Sequence, residues 1–329
     1  MPITEVSTDT DALTLTVIAD FPVTVQRLWD AYLDTRQLER FWGPPSYPAT
    51  FLRHDGFPGG RSHYQMVGPE GDASHGYWEW VAVSRPRSFE VRDGFAHDDG
   101  SANTEMPSMR MVFDFLETAL GARLITTTTF GSLDELERLR EMGMEDGMRA
   151  AMSQIDAVVE DLASFAADRG TGMARVGDTR ARISRVLRGT PEQIWRAHTD
   201  PELLRRWMLG QDGWEMTVCD AATAVGERFR HQWRHTQTGD VFGFTGELLV
   251  AQPPWRMVTT EAMCTEQDPD GAAGPQTLNE LTLTPVQGGT LATLLVFYPS
   301  NELREQILAT GMVDGMEAGY ARLEALTGW

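Results

Sequence analysis

The feature that most constrains this chain is an internal repeat. Residues 19–42 read ADFPVTVQRLWDAYLDTRQLERFW, and residues 185–208 read RVLRGTPEQIWRAHTDPELLRRWM. An offset of 166 brings Trp29 onto Trp195, Ala31 onto Ala197, Asp34 onto Asp200, Leu38 onto Leu204 and Phe41 onto Trp207. GRSHYQM (60–66) then matches ERFRHQW (227–233), and SRPRSFEV (84–91) matches AQPPWRMV (251–258). Near each end Gly143-Met144-Glu145-Asp146-Gly147-Met148 pairs with Gly311-Met312-Val313-Asp314-Gly315-Met316 at offset 168. Two single-residue gaps absorb the drift. Order, spacing and residue type persist over the whole length, which is the signature of a duplicated unit. The expected division is a first domain over 1–165, a small, polar, glycine-rich linker over 166–179, and a second domain over 180–329.

Each copy opens with an alternating strand, Leu13–Phe21 and Ala181–Leu187. Two short helices follow. Thr24 and Thr190 are their N-caps, Pro191 suits the first helical position, and Gln193 completes a capping box. Asp34 and Asp200 cap the next helix. Six strands come next in each copy, ending at Phe130 and Phe297. A long helix closes each. In the first, Met144, Met148, Met152, Ile155, Val158 and Leu162 recur at steps of three and four; in the second, Met312, Met316, Tyr320, Leu323 and Leu326 do. The fold class is therefore α+β, with an antiparallel sheet curling around one long helix in each copy.

These motifs resemble the START/Bet v 1-like (SRPBCC) superfamily, and within it the branch named for the activator of Hsp90 ATPase (AHSA1-like). The resemblance rests on RLWDAY and QIWRAH, on Leu38–Phe41 and Leu204–Trp207, and on the Gly60 and Gly226 turns. The proline turns at Pro86 and Pro253-Pro254 and the Gly-Met-x-x-Gly-Met helix complete it. It implies two tandem helix-grip domains, each with room for a cavity between sheet and helix. It leaves function open, because such folds serve binders, cyclases and partner-binding modules.

Composition removes several functions. The net charge is −20 and the pI about 4.7, which disfavours nucleic acid and anionic membranes as partners. All 28 basic residues are arginine. Without lysine there is no Schiff base and no P-loop amine. Cys219 and Cys264 are isolated and read as buried thiols. Gly170-x-Gly172 follows a helix and lacks the third glycine of a dinucleotide loop. The first eleven residues are polar and acidic, with no basic n-region or apolar h-region, so a cytoplasmic location is expected. No apolar run reaches the length of a membrane span.

Strand parity marks the inner faces. Phe229, His231, Trp233 and His235 share one side of their strand, with Phe242, Phe244 and Leu248 beside them. Ser62, Tyr64 and Met66 occupy the matching places in the first copy, joined by Trp78 and Trp80. Met144 and Met148, or Met312 and Met316, would close each cup from the helix side. Methionines and aromatics suit an adaptable apolar pocket as well as a core. His231 and His235 lie roughly 13 Å apart at about 3.3 Å per residue, too far for one ion, so no metal or cofactor is expected. His231 and Tyr64 are the acid–base candidates. Glu79 and Glu247 read as surface carboxylates, and Arg61, Arg230 and Arg234 as rim residues.

The leading expectation is sequestration of a hydrophobic, polyketide-like or lipid-like molecule. The alternatives are a cofactor-independent cyclase, aromatase or dehydratase and a co-chaperone-like interaction module. Ser62 against Phe229, Tyr64 against His231 and Trp78 against Gly246 predict unequal cups. The tandem copies are expected to pack as a pseudo-dimer.

Overall fold

A computed structural model describes residues 3–161, 170–210 and 213–326. The chain divides into two units, residues 1–164 and 165–329. In the first, β1 (Ile3–Asp9) and β2 (Thr14–Phe21) lead into α1 (Val25–Leu33) and α2 (Thr35–Leu38). Then come β3 (Ala49–His54), β4 (Arg61–Val67), β5 (Ala73–Ser84), β6 (Ser88–Ala96), β7 (Ser108–Thr118) and β8 (Gly121–Thr129). Helices α3 (Leu133–Glu141), α4 (Met144–Met152) and α5 (Ile155–Glu160) close the unit. The eight strands form one antiparallel sheet in the order β1-β2-β8-β7-β6-β5-β4-β3.

The second unit repeats this order. It runs through β9 (Gly172–Val176), β10 (Arg180–Leu187), α6 (Pro191–Thr199), α7 (Pro201–Trp207) and β11 (Trp214–Asp220). It continues with β12 (Arg228–His235), β13 (Val241–Gln252), β14 (Arg256–Cys264), β15 (Gln276–Val286) and β16 (Gly289–Phe297), and ends with α8 (Asn301–Leu308) and α9 (Met312–Ala325). Its sheet order is β11-β12-β13-β14-β15-β16-β10-β9.

The caps act where the sequence places them. Thr24 Oγ1 accepts from Arg27 N at 3.2 Å, and Asp34 Oδ1 from Arg36 N at 3.0 Å. Thr190 and Gln193 form the reciprocal capping box. Burial alternates strictly along β2 and β8, so each strand turns one set of side chains into the core. Helix α1 is buried almost all round. Arg27 on it donates to Gln37 Oε1 at 2.5 Å and to the Val158 carbonyl at 2.9 Å, tying α1 to α2 and α5.

Four elements were not foreseen. Strands β1 and β9 zip onto β2 and β10 as edges, and β9 lies inside the stretch read as linker. Its glycine-rich composition hides a five-residue ladder; Gly177, at φ 58°, lets the chain turn back at once into β10. Residues 166–169 and Leu162 lie outside the described residues. Helices α3 and α8 are capped by Ser132 and Ser300. Each is followed by a glycine in the left-handed region, Gly143 at φ 84° and Gly311 at φ 82°. Those glycines explain the repeated Gly-Met motif: they break one helix and start the next. The single long helix expected in the first copy is also divided. Ser153 turns its hydroxyl onto the Ala150 carbonyl, Gln154 donates to Gly43 O, and α4 ends before α5 begins.

The hairpin registers refine the repeat. Ser84 pairs with Ser88, and Gln252 with Arg256, so both sheets superpose at an offset of 168 here. This places Pro86 on Pro254, each preceded by a cis peptide bond.

Candidate functional site

The first cup is floored by an aromatic core. Trp29, Tyr32, Phe89, Phe113 and Phe115 pack together, Trp29 edge-on to Phe115 with centroids 5.2 Å apart and Phe89 stacked on Phe113 at 4.5 Å. Above it lies a cavity of about 250 Å³. Strand β4 supplies Tyr64 and Met66, and β6 supplies Asp93. Strand β7 adds Met109, Met111 and Phe113, and β8 adds Thr126 and Thr128. Met144, Met148, Met152 and Ile155 cover it from α4 and α5, and Trp42 and Pro44 stand at its side. Six methionines in one lining make the wall deformable as well as apolar.

An acid, the Tyr64 phenol and two threonines interrupt that wall. Asp93 is 8% exposed. Its Oδ1 accepts from the Trp78 indole at 2.8 Å and from the Tyr64 hydroxyl at 3.2 Å. Its Oδ2 takes no hydrogen bond from any described residue. Burial pushes the Asp93 carboxyl up to about 7, against the pull of its two donors. The Tyr64 phenol is held well above its ordinary value by burial and by Asp93. Thr126 and Thr128 are each 1% exposed, and neither hydroxyl has a hydrogen-bond partner among the described residues. Buried polar atoms left unpaired are rare in native folds.

The sheet register carries the acid into the second copy. Asp93 pairs with Met109; Glu261, 168 residues on, pairs with Thr277. Both therefore project from the same face of equivalent strands. Burial raises the Glu261 carboxyl too, and the Asn279 amide beside it acts in the opposite sense. Around this shared acid the two cups differ. Met109 and Met111 become Thr277 and Asn279, whose side chains bond at 3.1 Å. Thr126 and Thr128 become Leu294 and Val296. Gly246 replaces Trp78, and His231 replaces Tyr64.

His231 lies between Phe229, at 5.3 Å between ring centroids, and Trp233, at 6.4 Å. Its Nε2 is buried without a hydrogen-bond partner among the described residues, and burial pushes the imidazole down to about 4. It is neutral near pH 7. Phe229 and Trp233 are buried, while Phe244, Met312 and Met316 are half-buried and Met263, on the same face, is 55% exposed. The first unit has one continuous core. Among the described residues the second has two smaller clusters, both in contact with half-buried Leu294 and Met316.

A family model described as "Activator of Hsp90 ATPase homolog 1-like protein" matches residues 22–160 and again 188–328. The chain belongs to this family. Its AHSA1-like domains are similar to several solved structures. A Mycobacterium smegmatis protein, Ms6760, is 46% identical over 48% of this chain and 96% of its own, with a TM-score of 0.45. An Arthrobacter aurescens protein is 37% identical over 48% and 92%, at 0.46. A Rhodobacter sphaeroides protein is 34% identical over 47% and 96%, at 0.43. Among curated proteins none matches.

Of the residues singled out from the sequence, Tyr64, Met66, Met144 and Met148 line the first AHSA1-like cavity. Trp78 and Trp80 do not line it. They lie in the core behind it, where Trp78 holds Asp93 and Trp80 donates to Ser62 Oγ at 2.9 Å. Arg61 pairs with Glu79 at 2.7 Å and Arg234 with Glu266 at 2.9 Å, both at the exposed surface. Arg230 is half-buried on the side of β12 opposite His231. Cys219 and Cys264 are buried thiols outside any disulfide, and Cys219 Sγ donates to the Pro201 carbonyl at 3.8 Å. No cluster of three metal-ligating side chains occurs among the described residues, and none of their helices is long and apolar enough to cross a membrane. Asp93, Glu261, Thr126 and Thr128 were missed. The signal for the acids was present: they share the repeat offset and the parity of inward residues.

Proposed function

We propose that the first AHSA1-like domain binds a small, largely apolar molecule inside its cup. The carrying observation is the 250 Å³ cavity walled by six methionines and aromatic rings, with one acid at its side. An apolar cavity of about 150 Å³ accommodates benzene. A volume of 250 Å³ suits a fused two-ring body. That favours the polyketide-like side of the expectation over a long-chain lipid. The purified protein, exposed to an extract of hydrophobic metabolites and repurified, should retain such a compound by mass spectrometry. A Met148→Trp variant, which fills the cavity, should not. Equal retention by both would refute the assignment.

A second reading, cofactor-independent acid–base catalysis such as cyclisation or dehydration, is favoured by Asp93. A carboxyl at a cavity wall that titrates near neutrality and has one oxygen unbonded by any described residue has the properties of a general acid or base. Recovery of a dehydrated or cyclised product from the wild type, and of its precursor from Asp93→Asn, would support this reading. Recovery of the same compound from both would leave binding alone.

A further inference from the structure

The polar groups of the first cavity fall into two separate sets, with the buried indole N–H of Trp42, which packs edge-on against Tyr64, belonging to the first. Asp93 stands on β6, held from behind by Trp78 and from the side by Tyr64. Thr126 and Thr128 stand on β8, with β7 between. Two strand spacings of about 4.8 Å separate the sets by roughly 10 Å. The wall between them is Met109, Met111 and Phe113, which offer no strong hydrogen-bonding group.

Neither set is explained by the fold. Trp78 and Tyr64 both bond one oxygen of Asp93, a residue that lines the cavity, and no described residue bonds the other. Both threonine hydroxyls are buried and unpaired. Valine would fill the same positions without leaving a buried polar group unmatched. The second domain makes this comparison within the same chain, since it places Leu294 and Val296 at these two points. The helix-grip sheet therefore does not require hydroxyls there.

Resting on the reading of this cavity as a ligand site, we propose that its ligand is two-ended. One end carries a hydrogen-bond donor, a hydroxyl or amine, that bonds Asp93 Oδ2. The other carries a hydroxyl or carbonyl that bonds Thr126 and Thr128. An apolar, ring-sized body lies between them against the methionines. The wall selects for size, and the two polar sets fix orientation and register.

Three probes of equal ring size separate this proposal from simple apolar binding: naphthalene, 2-naphthol and 2,6-dihydroxynaphthalene. Binding to the full chain is followed by calorimetry or by tryptophan quenching. A net contribution of about 1 kcal/mol per hydrogen bond corresponds to roughly fivefold in affinity. The expected order is diol tightest, naphthol intermediate and naphthalene weakest, with about a twentyfold span. Asp93→Asn keeps an acceptor for Trp78 and Tyr64 and turns the free oxygen into a donor. Thr126→Val with Thr128→Val removes the hydroxyls without changing shape. The valine pair should remove about one fivefold step for the diol. Asp93→Asn, measured at pH 8.5 where the carboxylate is ionised, exchanges a charge-assisted bond for a neutral one from its amide to the ligand hydroxyl and should cost about as much. Naphthalene is unchanged by either, which also shows that the cup is folded. Equal affinity for all three probes, or losses for naphthalene as large as for the diol, would overturn the two-ended ligand while the cavity reading stands. Binding of none of the three would overturn the cavity reading itself, and this proposal with it.

Discussion

Replacing Asp93 by asparagine should change how the stability of the first domain depends on pH. The folded carboxyl titrates at about 7, against an ordinary value of 3.8, because burial penalises its charged form. Folding thus raises its proton affinity. Below pH 4 the group is protonated in both states and costs nothing. Between pH 4 and 7 the unfolded chain releases the proton and the folded chain keeps it, so stability falls as pH rises. Above about 7 the penalty is complete. At 1.36 kcal/mol per pH unit its upper limit is about 4 kcal/mol. Asparagine cannot ionise, and its carbonyl can still accept from Trp78 and Tyr64. Asp93→Asn should therefore already be about 1–2 kcal/mol more stable than wild type at pH 5, and the gap should widen to about 4 kcal/mol at pH 8. For a domain of this length, 1 kcal/mol shifts Tm by about 2–4 °C. The expected gap at pH 8 is on the order of 5–15 °C, in the transition of the first domain only. Scanning calorimetry of both proteins from pH 5 to 8.5 measures it. The difference between them cancels other titrating groups, His231 included. Parallel curves, or a wild type that gains on the variant as pH rises, would refute the reasoning.

Three further outcomes follow from the same geometry. Thr126→Val with Thr128→Val should stabilise the ligand-free first domain by about 1–3 kcal/mol per site, measured by chemical denaturation, because each removes an unpaired buried hydroxyl. A loss of stability would show that the hydroxyls have partners. Gly76→Ala should weaken diol binding to about the level of naphthol, because a Cβ there would overlap the Tyr64 ring that steadies Asp93; unchanged affinity would remove Tyr64 from the site. In the second domain, His231 titrates near 4 instead of 6.5, so its contribution is present above pH 6.5 and lost as pH falls toward 4. His231→Phe should flatten the acid limb of the second unfolding transition, and an unaltered limb would place the imidazole in solvent.

The fold was legible because it is written twice. Alternation along β2 and β8, the caps at Thr24, Asp34, Thr190 and Asp200, and the repeat itself all point to the same arrangement. The edge strands were not legible, since β9 is short and glycine-rich and gains its order only by pairing with β10. Helices α3 and α8 were hidden because a glycine can be read as a helix interior or as a left-handed break, and only the backbone of Gly143 and Gly311 decides between them. In the site, the methionines and Tyr64 follow from parity. Trp78 and Trp80 share that parity but are covered by neighbouring side chains, which no one-dimensional pattern encodes. Asp93 and the two threonines were passed over for the opposite reason: an isolated polar residue in a strand normally points to water, and here it does not.

Unmatched hydroxyls in the first cup have a consequence for the life of the molecule. An empty first domain carries a penalty that a fitting guest would remove, and a guest at a hundred times its dissociation constant would stabilise that domain by about 2.7 kcal/mol, the relief of the penalty included. Degradation samples the open state, whose population falls about tenfold for every 1.4 kcal/mol. Opening of a filled first domain would then be about a hundredfold rarer, so wherever that opening starts degradation the abundance of the protein would track the supply of a guest without any dedicated regulator.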